Sequence, residues 1–209
     1  MKSYLSVKRN IVNETVIEKS RFICTLKKVD GEDEAKTFVS EIKQKYPDAT
    51  HNCYAYIADQ GGFYIKFSDD GEPQGTAGLP MLETLKVKNL KKVAVVVTRY
   101  FGGIKLGTGG LARAYSGCVK DAVELAGISE SILSSVLKVE VSYSLYPKIL
   151  KLLESEKAVK YADNYLGDGV ELTFAVPLEN KDKIIEKITD VSSGKALAIE
   201  DRTEYIEYL

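Results

Sequence analysis

Apolar and polar positions in the first half of the chain predict strands and one helix. The stretch 16–26 is rich in β-branched residues and partly alternates, as a strand does. A helix is predicted next, because apolar residues recur at helical spacing between Asp30, a good N-cap residue, and Pro47, which ends helices. Segments 52–58 and 63–67 flank a glycine-containing turn, which is typical of a β-hairpin.

The middle of the chain predicts a fully buried strand followed by a long amphipathic helix. Val93–Val97 is an unbroken apolar run, as expected for a central strand that is covered on both faces. From Leu111 to Ala126 the apolar residues share one helical face, with Thr108 as the expected N-cap and Gly127 as the stop.

The pattern restarts after residue 127 and predicts a second domain. Its elements, in order, are a strand over 136–143, a helix over 147–156, a hairpin of strands 159–165 and 170–176, a helix over 181–192 and a strand over 197–206. This β-α-β-β-α-β order is that of a ferredoxin-like domain. We therefore expect an α+β protein with two domains, 1–130 and 131–209, joined by a short polar connection at 128–134.

Composition favours a globular protein of the cytoplasm. Of the 209 residues, 44 % are hydrophobic and 28 % charged, which excludes a disordered or fibrous chain. No apolar run approaches the length of a membrane span, and the first residues do not resemble a secretory signal, so no membrane partner is expected. The three cysteines are widely spaced, which disfavours a disulfide scaffold or a zinc ribbon.

Charged residues are distributed unevenly along the chain, although the net charge is only −1. Residues 1–127 carry a net charge of +4 and residues 128–209 a net charge of −5. From Thr84 to Lys120 there is no acid, and the eight cations are Lys86, Lys88, Lys91, Lys92, Arg99, Lys105, Arg113 and Lys120. Because an ordinary surface mixes both signs, this stretch predicts a face that meets a polyanion.

A glycine-rich segment lies within that basic stretch, and its five glycines are Gly102, Gly103, Gly107, Gly109 and Gly110. Glycine lets a backbone approach a ligand closely, and free N–H groups at a helix start attract anions. The segment lacks the context of a dinucleotide fingerprint and the Gly-Lys-Ser/Thr of a P-loop. Two interpretations stay open, a tight bend with close helix packing or an anion site flanked by Arg99, Lys105 and Arg113.

Two other segments carry weaker signals. The acidic residues Asp69, Asp70 and Glu72 lie in a Gly/Pro-rich stretch and are weak candidates for a metal site, although an ordered surface loop is the favoured interpretation. His51 and Cys53 alternate on one predicted strand, but two residues do not make a zinc site, and a strand cysteine is usually a small core residue.

Four segments together resemble the IMPACT family in its bacterial form. They are KSRF at 19–22, HNCYAY at 51–56, FSDDGEPQGTAG at 67–78 and VVVTRYFGGIKLGTGGLARAY at 95–115. The resemblance implies an N-terminal fold like the second domain of a small-subunit ribosomal protein. It also implies a ferredoxin-like C-terminal domain similar to the last domain of elongation factor G. Both of these fold kinships point towards translation and RNA. Eukaryotic members regulate a translation-control kinase, a role that the resemblance does not carry over to this chain.

The leading hypothesis is therefore a non-catalytic, translation-associated protein that contacts RNA, the ribosome or a translation factor, with no cofactor and no evident DNA specificity. Its expected contact residues are Arg99, Gly102, Gly103, Lys105, Gly107, Thr108, Gly109, Gly110, Arg113 and Lys120. The alternative is a nucleotide- or phosphate-binding enzyme in which the glycine-rich segment holds a phosphate and the 69–72 carboxylates hold magnesium. A protein-interaction adaptor that uses the same surface is a third hypothesis.

Overall fold

A computed structural model describes residues 2–208 and separates the chain into two compact units. Tyr4–Glu130 forms one unit, and the described residues on either side of it form the other. Each unit combines helices with one sheet, which confirms the α+β class with two domains. No helix within residues 2–208 is long and apolar enough to cross a bilayer.

The N-terminal unit contains most of the sequence motifs. Its elements are β1 (Ser3–Val7), β2 (Ile11–Ile17), β3 (Ser20–Lys28), α1 (Glu32–Lys45), β4 (His51–Ile57), β5 (Ile65–Ser68), α2 (Gly78–Val87), β6 (Val93–Tyr100) and α3 (Gly107–Ala126). Strands β2 to β6 form an antiparallel sheet in the order β2-β3-β6-β4-β5, so that β6 is central.

Strand β6 is buried on both faces, as its apolar run predicts. Val95 and its alternate neighbours belong to the core with Leu85 of α2 and Tyr115 of α3. Val96, on the opposite face, packs in a second core with Phe38 of α1. The sheet is therefore a layer between α1 on one side and α2 with α3 on the other.

Several local features of this unit differ from the sequence-based expectation, and strand β1 is one that no sequence pattern predicted. The strand predicted over 16–26 is a hairpin, because Glu18 and Lys19 form a two-residue turn with φ of 45° and 63°. No glycine or asparagine marks that turn. Helix α1 begins after Gly31 rather than Asp30, whose carboxylate accepts a hydrogen bond from Lys92 Nζ at 2.8 Å instead. Helix α2 is not predicted by the sequence pattern at all.

The C-terminal unit has the predicted ferredoxin-like order. Its elements are β7 (Ile128–Ser142), α4 (Tyr146–Ser155), β8 (Val159–Tyr165), β9 (Gly169–Pro177), α5 (Lys181–Ser192) and β10 (Ala198–Glu207). The antiparallel sheet of this unit runs β10-β7-β9-β8. Leu137 and Phe174 on one sheet face pack with Ile149 of α4 and Ile184 of α5.

The stretch 128–134, expected to be a polar connection, is the first half of β7. Its serines Ser129, Ser131 and Ser134 are buried. A strand rich in serines lacks the apolar alternation by which strands are predicted. Here backbone pairing with β10, from Ser131 onward, supplies the order instead.

Helix α2 offers a matched test of this packing. Leu85 is fully buried, whereas Val87 on the same helix is 86 % exposed. We expect Leu85→Ala to lower the free energy of unfolding by about 2–5 kcal/mol, because it leaves a cavity in the core. Val87→Ala should change the free energy of unfolding by no more than about 0.5 kcal/mol. Urea unfolding followed by circular dichroism measures both, and equal losses would contradict the placement of α2.

Candidate functional site

A buried carboxylate joins three elements of the N-terminal unit. Glu72 precedes α2, and its Oε1 accepts hydrogen bonds from Arg99 Nη1 of β6 at 2.6 Å and from the Tyr115 hydroxyl of α3 at 2.8 Å. All three side chains are buried. His51 Nε2 lies 3.8 Å from the other carboxylate oxygen of Glu72. The segment expected to be a surface loop is therefore anchored in the core.

Arg99 belongs to this buried cluster and not to an exposed phosphate-binding face. Its Nη2 donates to Ser20 Oγ at 3.1 Å, and its guanidinium lies against the rings of Phe22 and Phe101, with its carbon 5.3 and 5.4 Å from their centroids. Only 4 % of Arg99 is exposed. The expectation that Arg99 meets a ligand phosphate is corrected, because Glu72 already neutralises its charge.

The alternation of side chains along β6 indicates from the sequence that Arg99 is buried. Side chains two residues apart share a face, so Arg99 follows Val95 and Val97 on the face that α2 and α3 cover. An arginine at such a position requires a buried acid nearby, and Glu72 supplies it from 27 residues away.

The acidic segment organises the start of α2. Asp69 accepts hydrogen bonds from the backbone N–H groups of Gly75, Ala77 and Gly78 at 2.8–2.9 Å. Partial burial raises the pKa of Asp69, but these three bonds outweigh that effect and hold its pKa below the ordinary 3.8. A negative charge there also faces the positive end of the helix.

Asp70 is likewise occupied by protein donors. One carboxylate oxygen takes Lys43 Nζ at 2.5 Å and the other takes the backbone N–H of Asn52 at 2.7 Å. With Asp69 on backbone amides and Glu72 on Arg99, each of the three weak metal candidates serves the fold. Within residues 2–208 no group of three or more His, Cys, Asp or Glu side chains is placed to hold a metal ion.

Burial also governs the neighbouring tyrosine and cysteine. Burial raises the pKa of Tyr115 far above its ordinary range, with further contributions from Cys53 and Glu72, so that the hydroxyl remains a donor. Burial raises the pKa of Cys53 to about 12, and its thiol donates to the Asp69 carbonyl oxygen. Cys53 is therefore a core thiol and not an activated nucleophile.

The glycine-rich segment serves two different purposes. At Gly102 a Cβ atom would lie 2.0 Å from the backbone carbonyl of Lys19, so only glycine fits where the segment crosses the β2–β3 turn. Gly103 and Gly107 instead have positive φ and open space around them. Helix α3 begins at Gly107 after Leu106, with no side-chain cap, so the prediction of Thr108 as N-cap is wrong.

Four exposed or half-buried cations remain on this side of the unit, and we call them the basic surface: Lys88, Lys105, Arg113 and Lys120. None has an ion-pair partner within the described chain. Lys88, Arg113 and Lys120 line an open groove of about 500 Å³ between α2 and α3. Lys105 and Arg113 also line an adjoining pocket, together with the single acid Glu18. Of the other cations of the acid-free stretch, Lys86 pairs with Glu83, Lys92 with Asp30 and Arg99 with Glu72. Lys91 has no ion pair among the described residues, but its Nζ lies beside Gly62, in the connection between β4 and β5.

Alanine substitutions at Gly102 and Gly117 compare a glycine that is packed against backbone with one that has open space around it. Gly102→Ala should destabilise the N-terminal unit by several kcal/mol, on the order of a severe overpacking mutation, because the new methyl group meets backbone. Gly117→Ala, inside α3 with nothing within 4 Å, should raise the free energy of unfolding by about 0.5–1 kcal/mol. Thermal unfolding of both variants tests this, and tolerance of Gly102→Ala would contradict the close approach.

The pKa of Asp69 has a consequence for acid stability. Because its folded-state pKa is depressed, ionised Asp69 contributes stability above pH 3.8 that is lost as the pH falls through the lower folded value. Asp69→Asn should be less stable at neutral pH and should lose less stability on acidification. Asp70 is present in both proteins, so the comparison isolates Asp69. Urea midpoints across a pH series measure the effect, and parallel curves for the two proteins would contradict it.

Comparison with known proteins finds similarity along nearly the whole chain. Residues 18–123 match the Impact N-terminal domain, and residues 139–195 match a domain of unknown function, DUF1949. The IMPACT family member YvyE of Bacillus subtilis strain 168 is 42 % identical over 209 residues, covering 98 % of this chain and 94 % of that protein. YigZ of Escherichia coli K12, also an IMPACT family member, is 36 % identical over 205 residues, covering 96 % and 100 %.

A structural and a eukaryotic relative extend these findings. The crystal structure of a hypothetical protein matches with a TM-score of 0.61 at 35 % identity, covering 97 % of this chain and 100 % of that one. Protein IMPACT of Rattus norvegicus is 39 % identical over 80 residues, which are 36 % of this chain and 25 % of that protein.

Proposed function

Because the chain belongs to the IMPACT family, we propose that it is a translation-associated binding protein whose basic surface contacts the phosphates of ribosomal or other structured RNA. The tie to translation comes from the family resemblance. The contact surface comes from the charges of the N-terminal unit, and it comprises Lys88, Lys105, Arg113 and Lys120.

The observation that carries this proposal is the pairing state of the cations. A lysine or arginine already held by a carboxylate contributes little to phosphate binding, whereas an unpaired, solvated cation releases counterions when a phosphate takes their place. Arg99, Lys86 and Lys92 are held by acids of the protein, and the four cations of the basic surface are not. These four residues therefore keep their charge for an external anion.

Backbone geometry supports the same surface. The first turn of α3 begins with exposed Gly107, Thr108 and Gly109, and no side chain of the preceding residue caps its N–H groups. Such N–H groups carry part of the positive helix dipole. They lie on the chain between Lys105 and Arg113, so a phosphate that reaches one of these cations also approaches the helix start. Backbone N–H groups and cations together position a nucleic-acid backbone without reading its sequence.

The enzyme alternative receives less support from the geometry. It requires Asp69, Asp70 and Glu72 to hold magnesium beside a bound phosphate. Each of these carboxylates already accepts hydrogen bonds or an ion pair from the fold, so metal binding would require those interactions to break. The proposal is therefore a non-catalytic one.

A charge-reversal experiment tests the proposed surface. We expect the double variant Lys105→Glu, Arg113→Glu to bind purified ribosomes and ribosomal RNA at least about tenfold more weakly. The plot of log affinity against log salt should become shallower by about 0.7–0.9 for each RNA phosphate that the variant no longer neutralises. Sedimentation and filter binding across a potassium chloride series measure both quantities.

The matched control is Lys45→Glu, Lys66→Glu, two exposed lysines elsewhere in the same unit. This control should bind nearly as the unmodified protein does. Full affinity in the Lys105/Arg113 variant, an equal loss in the control, or no binding by the unmodified protein at low salt would overturn the proposal. Binding that does not depend on salt would overturn it too, and would indicate a protein partner instead.

A further inference from the structure

Phe101 is an aromatic side chain that is both exposed and firmly held. Its relative exposure is 46 %, yet its backbone N–H donates to Thr50 Oγ1 at 3.0 Å. The next residue, Gly102, is packed against Lys19 and donates its N–H to Ser20 Oγ at 3.2 Å. Both flanking peptide groups are therefore fixed, so the ring is presented on a rigid base.

The Phe101 ring contacts a buried cation of the protein. The Arg99 guanidinium lies over it, and the same guanidinium lies over Phe22 on the core side. Arg99 is held in turn by Glu72 and Ser20. Because Arg99 is buried, the exposed part of Phe101 lies on the side of the ring away from the guanidinium, which we call its outer face. This arrangement leaves a flat apolar surface facing solvent.

The surroundings of this ring suit a nucleic-acid backbone. Gly102 and Gly103 follow it without side chains, and a Cβ atom at Gly103 would meet nothing within 4 Å. Lys105 is four residues away, so the two Cα atoms are at most about 14 Å apart. The Glu72 carboxylate is neutralised by Arg99, and Glu18 is the one acid in the pocket that Lys105 and Arg113 line.

We infer that the outer face of Phe101 is a stacking platform for a nucleobase of single-stranded RNA whose phosphates lie along Lys105 and Arg113. Bases that are not paired in a helix stack on aromatic side chains, and proteins combine such platforms with a basic track for the backbone. Every base has a flat face, so the platform requires no particular sequence. This inference rests on the proposed function and specifies its ligand as an unpaired segment of RNA.

Two variants of Phe101 distinguish stacking of a nucleobase on the ring from a purely structural role of the ring in covering the Arg99–Glu72 ion pair. Phe101→Leu keeps an apolar side chain over the guanidinium but removes the ring, and Phe101→Trp enlarges the ring. The natural sequence has no tryptophan, so Phe101→Trp also provides a single fluorescent reporter. Phe63, which is 86 % exposed in the same unit, supplies the matched controls Phe63→Leu and Phe63→Trp. Urea unfolding verifies that each variant is folded.

The probes are a short oligoadenylate and an abasic oligonucleotide with the same backbone. We expect the natural protein to bind the oligoadenylate about 5- to 150-fold more tightly than the abasic chain. Phe101→Leu should lose most of that difference while binding the abasic chain unchanged. Fluorescence of Phe101→Trp should be quenched by the oligoadenylate and not by the abasic chain. Both Phe63 variants should behave as the natural protein does, without quenching in Phe63→Trp.

Equal affinity of the natural protein for the two probes would overturn the stacking platform while leaving phosphate binding, and with it the proposed function, in place. An equal loss of affinity for both probes in Phe101→Leu would also overturn it, because the ring would then only support the basic surface. Failure of the natural protein to bind either probe or ribosomal RNA at low salt would overturn the proposed function itself.

Discussion

The buried ion pair between Glu72 and Arg99 is the constraint on which the N-terminal unit depends. Removing one partner of such a pair leaves an uncompensated charge in the core and costs about 3–5 kcal/mol, so the two residues are mutually required. Tyr115 adds a second donor to the same carboxylate. One side chain thereby connects the segment before α2, the end of the central strand and the middle of α3, which are far apart in sequence. The glycine-rich segment lies between two of these anchors, and its course is set by them.

Arg99 and the four cations of the basic surface, all from the acid-free stretch, have different physical roles. Arg99 is buried in the core, where its guanidinium binds the Glu72 carboxylate and lies against the rings of Phe22 and Phe101. Lys88, Lys105, Arg113 and Lys120 have no such partner within the described residues and keep their charge at the surface. The C-terminal residues 128–209, with a net charge of −5, repel a polyanion, so the proposed contact with RNA is assigned to the N-terminal unit alone.

Sequence patterns predicted most of the fold because its elements are strongly periodic. Strand β6, helix α3 and the six elements of the ferredoxin-like unit follow from hydrophobic spacing and stop signals. The pattern missed the Glu18–Lys19 turn, which lacks the usual turn residues, and the serine-rich start of β7, whose order comes from pairing with neighbouring strands. It also missed α2, whose first N–H groups are bound by the Asp69 carboxylate from eight and nine residues earlier in the chain.

The candidate site was less predictable than the fold, because charge counted along a sequence does not reveal which charges pair in space. Lys105, Arg113 and Lys120 are exposed or half-buried as expected, but the burial of Arg99 required knowing where Glu72 lies. Photo-crosslinking of thiouridine-containing ribosomal RNA to the protein, followed by mass spectrometry of the attached peptides, tests the account most directly. We predict that the crosslinked peptides come from residues 88–120, which contain the basic surface. Crosslinks confined to residues 131–208 would contradict the account.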